Sequence, residues 1–375
     1  MTTIEATGPL GPGAADTGRP VLVLSGWSAV TGYGVGREAL REGVLSGRPA
    51  AAEPDGAGPG ATVPAVTVPE FRAADHLGRK GTRTMSRSTA FAVTAIDLLL
   101  RELGPEAVED PAAIGLVLGV GQGNVQAAMD FTQGALTASR PYHVDALRFP
   151  DTFLNRAAGQ SAIWHRLKGP NTTVAGGRLA GLLALGYAAR LFRGGHCRKL
   201  LVGATEEYSP ARAMLVEAAG GPDGTAAPLG EGCVVALLEP AADAARAGRV
   251  PVATVEATHV RAAGEPGTAG AELAACVRAA LAKAGATADR IRLVAPLGEY
   301  AEQEDAALDE VTGGHAPHRL RCRPLLGDAF AASAALQMSA ALAAERYWPQ
   351  RGDLALVTGI DRDGTVGCAL LGRPA

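Results

Sequence analysis

The segment RAAGQSAIWHRLKGPNTTV at residues 156–174, with the apolar run at residues 179–192 that follows it, carries the most information about the fold. The first part predicts a helix over residues 153–167 and a short strand over residues 171–174. The run at 179–192 is apolar on all sides, which is typical of a helix buried inside a protein. We therefore expect this helix to pack between other layers of secondary structure.

Strands and helices alternate on both sides of this segment. The predicted strands cover residues 21–30, 114–120, 171–174, 199–204, 232–238, 250–260 and 291–297, with a closing hairpin over 353–359 and 366–371. The predicted helices cover residues 37–45, 86–103, 124–136, 153–167, 179–192, 241–248, 269–284, 302–311 and 327–347. Such alternation predicts an α/β protein with a mostly parallel sheet.

A second helix that is apolar on all sides, at residues 327–342, gives each half of the chain one buried helix. This pattern predicts a five-layer α-β-α-β-α arrangement with internal duplication. We expect a flexible tail at residues 1–19, a first half at 20–245 and a second half at 246–375, with the two halves forming one compact unit.

The composition excludes several classes of protein. Of 375 residues, 47% are apolar, and 35 Lys and Arg oppose 38 Asp and Glu, for a net charge of −3. A chain of this kind buries a sizeable core and is neither a nucleic-acid-coating protein nor a polybasic membrane binder. No apolar run is long enough to span a bilayer.

The cysteines and the N-terminal residues indicate a cytoplasmic protein without cofactors. Five widely spaced cysteines lack any CxxC pairing, which favours reduced thiols over disulfides or a metal site. Residues 1–20 lack the basic start and apolar run of a signal peptide. We therefore predict neither metal nor cofactor.

Four segments resemble the β-ketoacyl synthases of the thiolase superfamily, in the same order along the chain. They are VLVLSGWSAVTGYGVGREAL at 21–40, HLGRKGTRTMSRSTAFAVTAIDLLL at 76–100, RAAGQSAIWHRLKGPNTTV at 156–174 and PLGEGCVVALLEPAADAARAGRV at 228–250. The resemblance implies the thiolase-like five-layer fold.

The catalytic residues of that family are replaced in this sequence. The family's nucleophilic cysteine begins the first buried helix, where backbone N–H groups and the helix dipole favour a thiolate. Arg178 stands at that position, and a guanidinium cannot attack a thioester. None of the five cysteines begins a helix after a strand, so a shift in alignment would not restore the nucleophile.

The second half shows matching losses. Leu297 and Asp328 stand where the family has its two active-site histidines, and Arg323 replaces a lysine. Arg362 lies in the segment that corresponds to the family's gating Gly-Phe-Gly-Gly loop. Because leucine cannot donate a hydrogen bond and aspartate would oppose a developing negative charge, the resemblance implies that the family's condensation chemistry is absent.

This combination resembles the chain-length factors, the β subunits of type II polyketide ketosynthases, which keep the fold, lack the nucleophile and pair with a catalytic subunit. The resemblance implies a heterodimer with a ketosynthase α subunit, and an acyl carrier protein that docks through that partner. Chain-length factors most often carry glutamine where this chain has Arg178. Together with a short segment at residues 208–230, this departure points to a divergent branch that builds reduced or polyene chains.

The resemblance also places the helix at residues 124–136 at the dimer interface, where its side chains cap the acyl tunnel. Val125, Ala128 and Thr132 share one face of this helix. Their small size implies a tunnel that takes a longer chain, with Met129 or Phe131 as the plug.

Two other functions stay open: a thiolase-fold acyltransferase or hydrolase with a non-cysteine mechanism, and a regulatory paralogue. No serine lies in a GxSxG elbow, which disfavours a hydrolase. An arginine at the start of a buried helix needs an anion, and we predict that Arg178 pairs with Asp328 rather than with Glu206 or Glu207. We expect the acidic run at 299–310 to form a solvated helix face.

Overall fold

The computed structural model describes residues 20–52, 63–140, 143–220, 227–264 and 266–374. The predicted tail at residues 1–19 lies outside the described residues. Residues 53–62, within the Pro- and Gly-rich stretch at 50–66, also lie outside them.

The elements follow the predicted alternation. The strands are β1 Leu22–Thr31, β2 Gly34–Val35, β3 Ala65–Val66, β4 Ile114–Val120, β5 Asn171–Ala175, β6 Lys199–Glu206, β7 Leu229–Gly230, β8 Gly232–Pro240, β9 Ala253–Ala262, β10 Ile291–Pro296, β11 His318–Arg319, β12 Leu354–Ile360 and β13 Thr365–Gly372. The helices are α1 Arg37–Ser46, α2 Ala73–Leu77, α3 Arg87–Leu103, α4 Val125–Thr137, α5 Arg156–His165, α6 Ala180–Arg193, α7 Pro210–Ala219, α8 Ala241–Arg246, α9 Ala269–Ala284, α10 Ala301–Thr312, α11 Arg323–Leu326 and α12 Ser333–Ala343.

The sheet order shows the internal duplication directly. Its main path runs β11-β10-β12-β13-β9-β1-β8-β6-β4-β5. If β1, β4, β5, β6 and β8 are counted as one set and β9 to β13 as another, each set has the spatial order 3-2-4-5-1. The strand directions also repeat between the sets. The two sets meet where β1 and β9 pair over two residues of each strand.

Helices fill three layers around these two sets of strands. The central layer is α6 and α12, whose buried side chains form one core with residues of both sets. The outer layers are α3 with α5 on the first set, and α9 with α10 on the second. The predicted α-β-α-β-α arrangement with internal duplication is confirmed.

The prediction of a mostly parallel sheet is only half correct. In each set the second strand is parallel to the third and fourth, but the fifth is antiparallel to both the fourth and the first. The antiparallel β12–β13 pair is the predicted hairpin, which turns at Gly364 in the left-handed region (φ 79°). The duplication therefore repeats a mixed motif.

The second buried helix is shorter than the predicted span of residues 327–347. Phe330 has a positive φ of 42°, and a 3-10 turn over Phe330–Ala332 precedes α12. Asp328 instead pairs with Leu229 of β7 through a bridge, which keeps residues 327–329 out of the helix. This interruption leaves the Asp328 side chain free to turn toward α6.

Helix α7 lies within residues 208–230, where the sequence predicts only a compact segment. Ser209 caps the helix by accepting a hydrogen bond from the Arg212 N–H, and Pro210 occupies the first turn. Gly220 ends the helix with a φ of 67°. Among the described residues, no helix combines the length and the apolarity needed to cross a membrane.

Candidate functional site

Arg178 lies in the short turn between β5 and α6. Gly177 begins this turn with a φ of 52°, a value that favours glycine. Only 5% of the Arg178 surface is exposed, and Leu179 after it is fully buried. The strand–turn–helix connection therefore delivers a long cationic side chain into the interior, where its charge needs a counterion.

Asp328 supplies the first counterion, as the sequence predicts. Nη2 of Arg178 lies 2.6 Å from Oδ2 of Asp328, and Nε donates to Oδ1 at 3.1 Å. This two-point contact joins the turn before α6 in the first half to the segment before α12 in the second half. Bidentate arginine–carboxylate pairs are among the strongest ionic contacts in proteins.

Two further carboxylates lie beside the same guanidinium. Nη1 of Arg178 donates to Oδ1 of Asp361 at 2.9 Å, and Nε lies 3.6 Å from Oε2 of Glu299. Glu299 also forms ion pairs with Arg323, at 2.5 Å, and with Arg362. Each of these carboxylates is at least 96% buried.

The site thus contains a cluster of three cations and three anions. We call it the charge cluster; its members are Arg178, Arg323, Arg362, Glu299, Asp328 and Asp361. Four of the five residues that the sequence analysis assigns to altered active-site positions lie in this cluster. The fifth, Leu297, is buried beside it.

The electrostatics of the cluster favour the ionised forms. Burial alone would raise the pKa of Asp328, but Arg178, Arg212 and Arg323 outweigh it and lower the pKa to about 2. Burial also works against the charged guanidinium of Arg178, yet the Asp328, Glu299 and Asp361 carboxylates raise its pKa above the ordinary value. Arg178 and Asp328 therefore form an ion pair throughout the physiological pH range.

The six side chains of the charge cluster include no thiol and no imidazole group. Arg178 has no lone pair to attack a carbonyl, and its donors are directed at carboxylates. Leu297 offers no side-chain hydrogen bond. The space between Arg178, Leu297 and Asp328 is about 10 Å³, which is close to the smallest volume that holds one water molecule.

A larger cavity of about 480 Å³ lies on the other side of Arg178. Its wall includes the glycine turn after β4, the start of α4, helix α7, Phe330 and the segment at 361–363. The Phe330 ring faces the Arg178 guanidinium at 5.3 Å. Of the four residues predicted to line an acyl tunnel, Val125 borders this cavity.

Glu206, at the end of β6, also borders this cavity. Its Oε1 accepts the Glu207 N–H at 3.3 Å, whereas its Oε2 has no hydrogen-bond partner in the described part of the chain. Burial raises the pKa of Glu206 to about 7, despite the opposing field of Arg212. The carboxyl therefore carries a proton over part of the neutral range.

The other predicted tunnel residues lie on the outer side of α4. Met129 is 39% exposed and Thr132 is exposed, while Ala128 is partly buried. No described residue of α4 is buried. In this chain by itself, the helix face that bears Ala128 and Thr132 therefore does not enclose a tunnel.

The acidic run at 299–310 is not uniformly solvated, so the prediction of a solvated helix face is wrong for two of its members. Glu299 belongs to the charge cluster. Glu304 is fully buried and accepts hydrogen bonds from the Leu297 and Gly298 N–H groups and from Thr358. Glu302 and Glu310 do face solvent.

Sequence reasoning missed Glu299, Asp361 and Arg212 as members of the site. Arg212 is buried on α7 and donates to the carbonyl groups of Glu207, Gly230 and Asp328. The two carboxylates could have been anticipated by counting charges. Three arginines are predicted at one site, and only one carboxylate, Asp328, is predicted to balance them, so two more anions are required. No group of His, Cys, Asp and Glu in the described ranges is arranged to hold a metal ion.

Comparison with known proteins gives consistent matches. The β-ketoacyl synthase N-terminal domain family matches residues 19–244. The 3-oxoacyl-(acyl-carrier-protein) synthase 2 of Rhizobium meliloti is 28% identical over 245 residues, which cover 58% of this chain. The aligned part covers 57% of that relative, little more than half of its length.

Two solved structures match nearly the whole chain. The ishigamide ketosynthase/chain length factor is 39% identical, with a TM-score of 0.86, and the match covers 95% of this chain and 100% of that one. A β-ketoacyl synthase from Burkholderia phymatum is 18% identical, with a TM-score of 0.82 over 95% of this chain and 100% of the other. The second likeness shows the shared thiolase-like fold.

Proposed function

Because the chain belongs to the β-ketoacyl synthase family, we propose that it is a non-catalytic ketosynthase-like subunit, a chain-length factor, that pairs with a catalytic ketosynthase. The observation that carries this proposal is the Arg178 guanidinium held by buried carboxylates, in the turn before α6 where the sequence resemblance implies that the family's nucleophilic cysteine would stand. A likeness of 39% identity to the ishigamide ketosynthase/chain length factor supports the same role.

An exposed apolar surface supports the existence of a protein partner. We call it the α4 surface; it contains Met129, Leu136, Leu147, Phe149 and Phe153. Leu136 and Leu147 are 81% and 79% exposed, and Phe149 packs against Phe153 with ring centroids 4.9 Å apart. Exposed apolar side chains that pack together, as Phe149 and Phe153 do, mark protein interfaces.

An open edge of the sheet also supports a partner with the same fold. Strand β5 pairs with β4 on one side, and no described strand pairs with its other side. Open strand edges recruit further strands by main-chain hydrogen bonding. A second thiolase-type chain would present the same edge and helix, so both surfaces would be covered together around a pseudo-twofold axis.

In such a heterodimer the chain shapes the acyl tunnel of its partner. Helix α4 would carry Val125, Ala128 and Thr132 toward the growing polyketide chain, with Met129 at the tunnel's edge. The acyl carrier protein would dock on the catalytic subunit, which holds the reactive thiol.

The five cysteines are all free in the structure, which supports a reducing, cytoplasmic setting.

Co-expression with a cysteine-bearing ketosynthase tests this proposal. We expect a stable one-to-one complex by size-exclusion chromatography with light scattering. We also expect defined chain elongation, measured by mass spectrometry of the products, only when both chains are present.

The opposite result would refute the assignment. If no stable complex forms and the ketosynthase elongates normally by itself, the chain has no role as a chain-length factor. Turnover of acyl thioesters by the isolated chain would instead support the acyltransferase or hydrolase alternative.

A further inference from the structure

Helix α7 forms one wall of the cavity of about 480 Å³. The residues of α7 that border the cavity are Arg212, Leu215, Val216 and Ala219. Their spacing of i, i+3, i+4 and i+7 places them on one face of the helix. The other faces of the helix are turned away from the cavity, so α7 covers part of it.

The first turn of α7 is firmly anchored. The Ala211 N–H donates to Oε1 of Gln126 on α4 at 3.0 Å, and the Arg212 guanidinium donates to three backbone carbonyl groups. All the buried residues of α7 lie in this turn or directly after it, at positions 211–213. This end of the helix is therefore fixed to the body of the protein.

The remainder of α7 has little packing to hold it. No residue from 214 to 220 is buried, and Met214 and Leu215 are 50% and 42% exposed. The helix packs mainly against α4, which itself buries none of its described residues. Segments with few buried apolar contacts open locally at a low cost in free energy.

The side chain of Arg362 ties the loosely packed end of α7 to the second half of the chain. Its Nη1 donates to the carbonyl group of Gly220, which ends the helix, and its Nε forms an ion pair with Glu299. Glu299 is fully buried within the charge cluster, so one guanidinium joins the last turn of α7 to a rigid part of the interior.

We propose that α7 is a hinged lid over the cavity, that its first turn is the hinge, and that Arg362 is the latch that keeps its last turn closed. When the latch opens, the face that carries Leu215, Val216 and Ala219 moves away from the cavity and admits solvent and small molecules. The inference goes beyond the proposed function, because it describes the isolated chain whether or not a partner binds.

Arg362→Lys tests the latch. Lysine keeps a cation beside Glu299, but its compact ammonium does not span both acceptors as the guanidinium fork does. We expect the amides of residues 214–220 to exchange with deuterium about fivefold faster or more than in the wild type, measured by hydrogen exchange and mass spectrometry. The amides of α3 and α9 should exchange at the wild-type rate.

Thiol labelling measures access to the cavity directly. Val216→Cys places a thiol on the cavity face of α7, and a methanethiosulfonate reagent should label it about threefold faster or more when Arg362→Lys is also present. Ala218→Cys is the matched control, since Ala218 is exposed and does not border the cavity. Its labelling rate should be the same with and without Arg362→Lys.

Asp363→Ala is a control in the same segment as the latch. Asp363 is exposed and accepts the Thr365 N–H, so its loss should leave the exchange of α7 unchanged. The wild type gives a further check that requires no variant to fold. Its amides at 214–220 should exchange faster than those of the buried helix α6, because they exchange by local opening.

Equal exchange of residues 214–220 in Arg362→Lys and the wild type would overturn the proposal, as would equal labelling of Val216→Cys in both backgrounds. Faster exchange that extends to α3 and α9 would also overturn it, because the variant would then act through global stability. Failure of the chain to bind a ketosynthase would leave these results unaffected.

Discussion

At the scale of single residues, Arg178 is stable in the interior because its neighbours match its charge. A buried guanidinium without a partner costs several kcal/mol, and removing one member of a buried pair costs about 3–5 kcal/mol. The charge cluster has equal numbers of cations and anions, which satisfies this requirement. The six side chains of the charge cluster thus form a balanced ionic core between the two halves.

Arg178→Met should destabilise the protein because it leaves the Asp328 and Asp361 carboxylates buried without their main cation. We expect a loss of about 3–5 kcal/mol in the free energy of unfolding, measured by urea denaturation. The double variant Arg178→Met/Asp328→Leu should be less destabilised than the single one, since one orphan charge is gone. Equal stability of Arg178→Met and the wild type would contradict this account.

Glu206 makes stability depend on pH. Its pKa in the folded state is about 7, above the ordinary value of 4.5, so the folded state holds a proton that the unfolded state releases. The associated stability is complete below about pH 4.5 and is lost as the pH rises through about 7. Relative to Glu206→Gln, the wild type should lose roughly 3 kcal/mol between these limits.

Thermal or urea unfolding of the wild type and Glu206→Gln at a series of pH values measures this difference. Parallel stability curves for the two proteins would show that Glu206 does not bind the proton.

The Arg178–Asp328 pair was predictable from sequence, whereas Glu299 and Asp361 were not identified as its partners. In the family that the sequence resembles, the positions matched to Arg178 and Asp328 lie close together in the fold, so a contact between the two was expected. Glu299 lies just before helix α10, which carries exposed acidic side chains. Its own side chain is buried because the folded chain places it beside Arg362. Local sequence does not distinguish a buried glutamate from a solvated one in such a run.

At the scale of elements, α4 and the outer edge of β5 are both left uncovered by the described part of the chain. The α4 helix buries none of its described residues, although it carries apolar side chains along its length. Strand β5 is an edge strand. Both elements are therefore available to the partner that the proposed function requires.

Leu136→Lys should weaken pairing with a ketosynthase, because it places a charge in the apolar α4 surface. Lysine near the end of a helix is compatible with the helix dipole, so α4 itself should persist. Val250→Lys is the matched control, since Val250 is 82% exposed and Leu136 is 81% exposed. We expect at least tenfold weaker complex formation for Leu136→Lys by titration, and no change for the control.

Ala128→Trp should shorten the products of the heterodimer, because a bulky side chain on α4 reduces the room for the acyl chain. Ala128→Leu should have a smaller effect, and Ala128→Ser, which is almost isosteric, should have none. Mass spectrometry of the products measures the distribution of chain lengths. An unchanged distribution for Ala128→Trp would show that this face of α4 does not line the tunnel.

Long apolar elements were predicted well, and elements with local interruptions were not. Helix α6 was predicted because its sequence is apolar on all sides, a pattern that is typical of a buried helix. The break before α12 depends on Phe330 and on the bridge from Asp328 to Leu229, a contact between residues far apart in sequence. Helix α7 was missed although Ser209 and Pro210 form a recognisable helix start.

At the scale of the whole molecule, the internal duplication was predicted from the alternation of elements and the two apolar helices, whereas the strand order within each half came only from the structure. Strand direction was not, because both buried parallel strands and central antiparallel strands appear as continuous apolar runs. β8 and β13 are buried along nearly their whole length, as parallel strands usually are.

The isolated chain should accept no acyl group from a thioester. Burial raises the pKa of Cys197 and Cys276 to about 11, of Cys233 and Cys322 to about 12, and that of Cys368 as well. Since the thiolate is the reactive form, these thiols are inert at neutral pH. Intact-mass spectrometry after incubation with an acyl thioester should show no adduct, whereas a partner ketosynthase treated in the same way should gain one.

An acyl adduct on any of the five cysteines would contradict the non-catalytic assignment.

The charge cluster also constrains how this sequence can change over generations. Arg178 belongs to the first repeat, and the three carboxylates that balance it belong to the second. A single replacement of Arg178 by a cysteine, or of Asp328 by a histidine, strands a buried charge before any chemistry is gained. Each such single replacement is therefore penalised in stability, so residues at these positions can change without loss only when a cation and its carboxylate change together.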